Sequence, residues 1–223
     1  MSQMKRRPAP GAVKNRVELR RRPTSVPPHR RVRLENSQRR QQLLQLGRTA
    51  FAERAYDEVS IDDIARTAEI SKGLLYHYFP TKRDLYLAGL RATAEELTLH
   101  VRSCTFGAVA KLPAALDAYV AHAKLHAGWY TALLRGGIGS DPEVATLAQQ
   151  TRQILLDAAT LDPAYAPSNT SPEMARLILR GWVGLVETVT LDWVAGNEVT
   201  ALALREWLIE MLRLAVTSAN RTM

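Results

Sequence analysis

The segment from Val59 to Lys82 reads VSIDDIARTAEISKGLLYHYFPTK. Ser60 is followed three residues later by Asp63, which is a typical helix start, and the apolar residues after it recur at helical spacing. Ser71 offers a second helix start, and Pro80 must end the helix that begins there. The segment therefore predicts two short helices separated by a three-residue turn, which is the spacing of a helix-turn-helix.

The second helix of this pair has side chains suited to reading DNA. Lys72 can reach phosphate oxygens or guanine acceptors in the major groove, and Gly73 lets the backbone approach closely. The Tyr76 hydroxyl and the His77 ring can donate hydrogen bonds to phosphate oxygens. Lys82 would add a cation in the first turn of the next helix, whose N-terminus already favours an anion. These residues at this spacing indicate a double-stranded DNA operator as partner.

Between Gln42 and Leu90 the sequence closely resembles the DNA-binding head of the TetR family. The resemblance depends on VSIDDIA at 59–65 and SKGLLYHYFPTK at 71–82. It implies a three-helix head on an all-helical effector-binding body, in a dimer that usually represses and that a small molecule releases from DNA. The residues that match the family's DNA-contacting positions are Ser60, Lys72, Gly73, Tyr76, His77 and Lys82. We also expect contacts from Arg39, Arg40 and Ser71.

Glu69 departs from the family's pattern, because the turn of the family often has glycine at this position. A residue other than glycine with a positive φ costs up to ~2 kcal/mol. The turn must therefore either differ slightly or tolerate this strain.

The positive charge of the chain lies almost entirely at its N-terminus. The net charge is +8, but residues 1–40 hold 13 Lys/Arg against only Glu18 and Glu35, so the remainder has a net charge of −3. This stretch has five of the eleven prolines and no periodic apolar face, so we expect residues 1–35 to be a disordered arm. Such an arm could dock on DNA phosphates or in a minor groove, or it could be a solvated tail. Residues 41–90 hold six Lys/Arg and seven Asp/Glu, so the head alone is not basic.

From Asn36 onward the apolar residues recur at helical spacing, and no segment alternates convincingly as a strand does. Prolines and glycines divide this part of the chain into about nine helices. We therefore expect an all-α fold with three parts. These are the disordered arm at residues 1–35, a helix-turn-helix DNA-binding domain at residues 36–82, and an effector-binding and dimerisation domain at residues 83–223.

The last two predicted helices are apolar on more than one face, as Leu177, Trp182 and Trp207 illustrate. A helix with so wide an apolar surface needs a partner on both sides, and Gly181 and Gly184 would permit close approach. Pairing these helices with their symmetry mates gives a four-helix seam and a homodimer, with two recognition helices about one DNA turn, ~34 Å, apart. Two ordinary core helices in a monomer are the alternative interpretation.

Aromatic and polar residues expected to face the interior of the body are candidates for an effector cavity. Ligand pockets are mostly apolar with a few placed polar groups. The candidates are Tyr119, His122, His126, Trp129, Tyr130 and Trp182. The same side chains would also suit a plain core. The aliphatic composition favours a largely apolar small-molecule effector, such as an acyl chain or a steroid-like molecule.

Three other motifs favour structural interpretations. His122 and His126 lie on one helical face, but no glutamate follows the first histidine and no cysteine pair accompanies them, which argues against a metal site. Residues 136–140, GGIGS, follow a helix and lack the Lys-Ser/Thr ending of a phosphate-binding loop, so they predict a turn. The single cysteine, Cys104, has no evident base beside it, and we expect it to be a small buried hydrophobe.

No clustered nucleophile, base or metal set indicates an enzyme, and nothing indicates a cofactor. No apolar run reaches the ~18 residues that a bilayer span requires, and the basic N-terminus leads into prolines, so we expect a cytoplasmic protein. The leading hypothesis is a ligand-responsive DNA-binding homodimer. The alternatives are an architectural protein that binds DNA through the arm with little sequence preference, and an all-α enzyme that carries a helix-turn-helix.

Overall fold

The computed structural model describes residues 28–135, 141–165, 170–196 and 198–222. Every regular element within these ranges is helical, which confirms the all-α prediction. The chain divides into two compact units, residues 1–37 and residues 38–223. Residues 1–27 of the predicted arm and the predicted turn at 136–140 lie outside the described residues.

Nine α-helices and one 3₁₀ turn follow one another along the described ranges. They are α1 (Pro28–Glu53), the 3₁₀ turn (Tyr56–Glu58), α2 (Ile61–Thr67), α3 (Lys72–Tyr78), α4 (Lys82–Thr105), α5 (Lys111–Leu125), α6 (Ala127–Arg135), α7 (Pro142–Leu161), α8 (Pro172–Val194) and α9 (Ala201–Thr222). We call the part from Gln38 to Phe79 the head, and the part from α4 onward the body.

The first helix is longer than the sequence predicted, because α1 begins at Pro28 and not at Asn36. The prediction that residues 28–35 are disordered is therefore wrong. That prediction was based on the lack of a periodic apolar face in this stretch. Arginine nevertheless has a high helix propensity, and proline is well suited to the first helical position. Backbone preference thus explains a helical start that apolar periodicity could not indicate.

The helix-turn-helix forms at the predicted residues. Ser60 Oγ accepts a hydrogen bond from the Asp63 amide at 3.4 Å, and Ser71 Oγ accepts one from the Leu74 amide at 3.1 Å. Both serines therefore cap the helices that follow them. The chain turns between α2 and α3 at Glu69, whose φ is 55°. The turn thus keeps its left-handed conformation and tolerates the strain of a residue with a Cβ.

Two apolar cores stabilise residues 38–223. The head core consists of buried side chains of α1 to α4 and continues into α6 and α7 through Trp129, Leu133, Val144 and Leu147. The body core consists of buried side chains from α4 to α9, among them Leu116, Leu155 and Leu208. Because α4 supplies residues to both cores, the head and the body form a single compact unit, although they were predicted as separate domains.

Trp129, at the start of α6, is the centre of the junction between the head and the body. Its side chain is 2% exposed, and its Nε1 donates a hydrogen bond to the Arg48 carbonyl of α1 at 3.0 Å. A Cβ on Gly89 of α4 would lie 2.3 Å from the Trp129 ring, and a Cβ on Gly128 would lie 2.2 Å from the Ala52 carbonyl oxygen. The backbones of α1 and α6 therefore approach each other closely where the tryptophan is anchored.

Replacing Gly128→Ala should destabilise the protein by about 2 kcal/mol, because the new methyl group overlaps backbone that cannot move independently of α1. Urea unfolding followed by circular dichroism measures this change. Gly73→Ala in α3 is the matched control, since the nearest atom to a Cβ there is Ser71 Oγ at 3.9 Å. The control should be neutral or more stable by up to ~1 kcal/mol, as expected for alanine in a helix. Equal effects of the two substitutions would contradict the close approach.

The strain at Glu69 is also measurable. Glycine adopts the left-handed region without steric cost, whereas alanine keeps the Cβ, and both remove the glutamate charge. We expect Glu69→Gly to be more stable than Glu69→Ala by about 0.5–1 kcal/mol in the same unfolding experiment. A more stable alanine variant would show that the turn does not need a positive φ.

Candidate nucleic-acid interface

The side of α3 that faces away from the head core is exposed. Lys72, Gly73, Tyr76 and His77 are all exposed, whereas Leu75 is 1% exposed and packs in the head core. The four exposed residues are therefore available to a DNA major groove, and their contacts with DNA stay a prediction.

Leu74 also lies on the exposed side of α3, and 38% of its side chain is accessible. An apolar side chain in the major groove can contact the methyl group of thymine. Leu74 was not among the residues selected from the sequence, because apolar residues in the motif were sought for the core. Its position three residues before His77 could have identified it, since residues three apart share one helical face.

Lys72 is paired within the protein. Its Nζ lies 2.9 Å and 3.1 Å from the two carboxylate oxygens of Asp62, on α2. The hydrogen bond and charge of Asp62 raise the pKa of Lys72 above its usual value. Both side chains are more than half exposed. Lys72 must therefore exchange one anionic partner for another when it contacts a phosphate.

Lys82 begins α4 and lies over the 3₁₀ turn. Its Nζ is 4.5 Å from the centre of the Tyr56 ring and 3.5 Å from the Asp57 carbonyl oxygen. Thr81 and Asp84 form a capping box at this helix start. The lysine is therefore held in the first turn of a capped helix, where the helix dipole also favours an anion.

The two arginines predicted to add charge lie on exposed positions of α1. The Arg40 guanidinium is 4.8 Å from the centre of the Phe79 ring, at the end of α3. Arg39 donates a hydrogen bond to Gln42 Oε1 at 2.9 Å. The fold therefore brings Arg40 beside the recognition helix. Ser60 and Ser71 are used as helix caps, although a capping hydroxyl can still donate to a phosphate oxygen.

An ion-pair network fixes the start of α4 to the start of α7. Arg83 donates to both carboxylate oxygens of Asp141, at 2.7 Å and 3.0 Å, and to Glu143 at 3.1 Å. Arg91, two turns further along α4, also pairs with Glu143. The Arg83 guanidinium lowers the pKa of Asp141, so this carboxylate stays charged. The spacing of residues cannot indicate this contact, because Arg83 and Asp141 lie 58 residues apart in the chain.

Comparison with known proteins matches both parts of the chain. Residues 43–88 match the family described as bacterial regulatory proteins, tetR family, and residues 109–214 match the tetracyclin repressor-like C-terminal domain. The HTH-type transcriptional activator FasR of Mycolicibacterium smegmatis is 30% identical over 168 residues, which cover 74% of this chain and 76% of that protein. This chain belongs to the TetR family.

Solved structures share the TetR fold. A tetR-family transcriptional regulator from Streptomyces coelicolor is similar with a TM-score of 0.70 and 28% identity, over 84% of each chain. The transcriptional regulator FadR from Bacillus subtilis, solved in complex with stearoyl-CoA, has a TM-score of 0.62 over 77% of this chain and 96% of that chain. At 16% identity, this second likeness shows the fold alone. No helix in the described ranges is long and apolar enough to cross a membrane.

The side chains predicted to line an effector cavity of this TetR-family regulator do not form one cluster. Tyr119, Tyr130 and Trp182 lie in the body core, where the tyrosine hydroxyls are 2.7 Å apart and Trp182 Nε1 donates to the Leu208 carbonyl at 2.8 Å. Burial raises the pKa of both tyrosines, so their hydroxyls stay protonated. Trp129 lies instead in the head core. The roles of these residues toward an effector stay a prediction.

His122 lies on α5 and His126 at the C-terminal end of that helix, with their rings 4.5 Å apart. Burial lowers the pKa of His122 to about 4, and His126 adds to this effect, so His122 is neutral at neutral pH. Its Nε2 has no hydrogen-bond partner among the described residues. His126 lies 3.8 Å from Glu96, which pairs with Arg48 at 2.6 Å. His122 thus has one buried polar atom without a hydrogen-bond partner among the described residues.

Two further sequence interpretations can be compared with the geometry. Among the residues that the structure describes, no group of three His, Cys, Asp or Glu side chains could hold a metal ion. Cys104 is exposed, so the prediction that it is buried is wrong. It lies in the final turn of α4, beyond Val101, the last buried residue of that helix.

The ion pair between Lys72 and Asp62 is expected to lower the affinity of the protein for DNA. Asp62→Asn should strengthen DNA binding and steepen the dependence of log K on log salt by about one, because Lys72 becomes free to neutralise one more phosphate. Fluorescence anisotropy with a labelled duplex at several salt concentrations measures both quantities. In a Lys72→Ala background the same substitution should have a smaller effect. An equal gain in both backgrounds would mean that Asp62 acts by general repulsion.

Proposed function

We propose that this TetR-family regulator binds a palindromic operator as a homodimer and that a small lipophilic effector releases it. The observation that carries the proposal is the exposed side of α3, held by Leu75 and the caps at Ser60 and Ser71. One short recognition helix reads only a few base pairs, so two copies are needed for a specific site. Operator palindromy then reflects the two-fold symmetry of the dimer.

The proposed dimer forms through α8 and α9, because each helix has two apolar faces. On one face, Trp182, Val186 and Leu208 are buried in the body core. On the other face the apolar side chains are exposed, among them Met174, Leu177, Trp207 and Leu214. A Cβ on Gly181 or Gly184 would meet no atom within 4 Å. A second copy can therefore approach closely and cover these faces in a four-helix seam.

Affinity and sequence selection reside in different parts of the proposed complex. Residues 41–90 hold slightly more acidic than basic side chains, so the head gains little from long-range attraction to DNA. Residues 1–40 hold 13 Lys/Arg. Each phosphate that these cations neutralise adds ~0.9 to the salt slope without favouring any sequence. We therefore assign selection to α3 and part of the strength to the N-terminal arm, with Arg39 and Arg40 at exposed positions of α1.

The proposed effector enters the body core. This core is apolar, with the paired Tyr119 and Tyr130 hydroxyls inside it. The buried, unpartnered Nε2 of His122 lies on α5, a helix that supplies part of this core. Such a setting suits a largely apolar molecule with a few polar atoms, and the stearoyl-CoA held by the FadR structure makes an acyl chain a reasonable class. Because α4 contributes to both cores, separating the body helices would also displace the head.

Repression follows when the operator overlaps a promoter, because a bound dimer excludes other proteins from the same DNA. FasR is named as an activator, so a site upstream of a promoter is the second candidate arrangement. Both arrangements place the protein in the cytoplasm with the DNA, and neither requires a catalytic step or a cofactor.

Selection of bound fragments from random genomic DNA tests this proposal. The full chain should enrich one palindromic site whose half-sites lie about one helical turn, ~34 Å, apart. Tyr76→Ala should lose that enrichment, because it removes a contact of the recognition helix. Deleting residues 1–27, which leaves α1 whole, should weaken binding and lower the salt slope while the same site is enriched.

Tyr165→Ala is the matched control, since this tyrosine lies in the body between α7 and α8. It should enrich the same site as the unmodified chain. Fragments with no common sequence, together with a steep salt slope that Tyr76→Ala does not change, would overturn the proposal and favour an architectural DNA-binding protein.

A further inference from the structure

A cavity of about 320 Å³ lies between α7 and α8. On the α7 side it is lined by Gln149, Arg152 and Leu156, and on the α8 side its charged residues are Arg180 and Glu187. Residues three, four or seven apart lie on one face of a helix, so each wall is a single helix face. The cavity therefore brings two cations and one anion together. Its volume is at the lower end of the range that small ligands occupy.

The apolar lining of this α7–α8 cavity is small. Leu156 and Val183 contribute apolar side chains, whereas Gly184 contributes no side chain. A Cβ on Gly184 would meet no atom within 4 Å, so this part of the cavity has room for an occupant. An occupant can therefore carry only a short apolar part beside its polar groups.

The charge of Glu187 is only partly compensated by the protein. Its side chain is 12% exposed, and its two carboxylate oxygens accept hydrogen bonds from Arg152 Nε at 2.9 Å and 3.0 Å. Burial nevertheless raises the pKa of Glu187, because the loss of water outweighs the effect of this arginine. Each carboxylate oxygen can accept a second hydrogen bond. A cationic N–H group of an occupant would therefore stabilise the charged form of Glu187.

The two arginines are available to an anionic group. Among the described residues the hydrogen bonds of Arg152 come from Nε alone, so its two terminal nitrogens can serve a second acceptor. Arg180 is exposed and forms no ion pair with the part of the chain that the structure describes. A guanidinium group binds a carboxylate well, because its planar set of donors matches the two oxygens. The cavity thus offers partners to a carboxylate and to an ammonium group at once.

We propose that the α7–α8 cavity binds a small α-amino acid with a short apolar side chain. Its carboxylate pairs with Arg152 and Arg180, and its ammonium group pairs with Glu187. Its side chain contacts Leu156 and Val183. A ligand with only one of the two charged groups would leave either the arginines or the glutamate without a new partner, so the cavity selects a molecule that carries both.

Glu187 also links this cavity electrostatically to the body core. Burial is the main cause that raises the pKa of Tyr119 and of Tyr130, and the charge of Glu187 adds to it. An ammonium group beside Glu187 therefore changes the field in the core to which the effector is assigned. Gly184 belongs in addition to the proposed dimer seam, so a second copy lies next to the occupant. These two consequences rest on the proposed function, whereas amino-acid binding itself does not.

Binding of L-valine to the full chain without DNA tests the site. Ligand-observed NMR suits the millimolar affinity expected of so small a ligand. Isovalerate lacks the amino group of valine, and isobutylamine lacks its carboxylate, so both probes keep the apolar part. L-valine should bind about tenfold more tightly than either, because each analogue loses one set of charge-assisted hydrogen bonds. No binding of L-valine, or equal affinity for L-valine and either analogue, would overturn the proposal.

Glu187→Gln distinguishes recognition of the ammonium group from a structural role. Glutamine keeps the shape of the side chain and removes its charge. This variant should bind L-valine about tenfold more weakly and isovalerate no more weakly than the unmodified chain does. If Glu187 only held α7 against α8, both ligands would lose affinity equally.

Arg180→Gln provides an independent arm, because this exposed side chain can be replaced without disturbing the fold. It should weaken the binding of L-valine and of isovalerate alike, since both carry the carboxylate. Arg176→Gln is the matched control, because Arg176 is exposed one turn earlier on α8 and does not line the cavity. Thermal unfolding followed by circular dichroism checks that each variant folds. Equal effects of the two arginine substitutions on L-valine affinity would contradict the site, whatever the protein does with DNA.

Discussion

The packing of Trp129 between α1, α4 and α6 is the constraint on which the rest of the structure depends. Its indole N–H binds the Arg48 carbonyl of α1, and its ring fills the space that the absent side chain of Gly89 leaves on α4. A tryptophan held by a hydrogen bond at one end and by close packing at the other cannot shift without moving both helices. The recognition helix is therefore tied to the body through α1 and α4, and a rearrangement of the body reaches α3.

The candidate DNA interface is built from cations that already have partners. Lys72 pairs with Asp62, Lys82 lies over Tyr56, and Arg40 lies over the Phe79 ring. These contacts are exposed and individually weak, so they hold each cation near its place at little cost to DNA binding. The Lys72–Asp62 pair also reduces the attraction of the head for arbitrary DNA, because it neutralises part of the positive charge within the protein. A nearly neutral, prearranged surface binds most tightly to DNA whose phosphates and base edges fit it. This fit is a basis for selecting one DNA sequence over others.

The sequence predicted the parts of this site that depend on neighbouring residues. Ser60 and Ser71 cap helices whose starts lie one residue later, and the positive φ of Glu69 is one of the two alternatives that the sequence left for the turn. The sequence did not predict the place of Trp129, because a helical face shows that a residue is buried and not which helix covers it. The Arg48 carbonyl that binds this tryptophan lies 81 residues earlier in the chain. Contacts between residues so far apart in the chain depend on how the helices pack. The spacing of apolar residues along the sequence does not determine that packing.

The buried polar groups of the structure differ in whether they have hydrogen-bond partners. The Tyr119 and Tyr130 hydroxyls satisfy each other, so they stabilise the body core as it stands. The Tyr86 hydroxyl and His122 Nε2 are buried without such partners, so each makes folding less favourable. Tyr86 is part of α4, and His122 lies on α5 with its imidazole near the α4 residue Glu96. The two unsatisfied groups therefore lie on or beside α4, which supplies residues to both cores, as α6 and α7 also do. Burial of these two groups thus weakens the structure next to a helix that joins the head to the body.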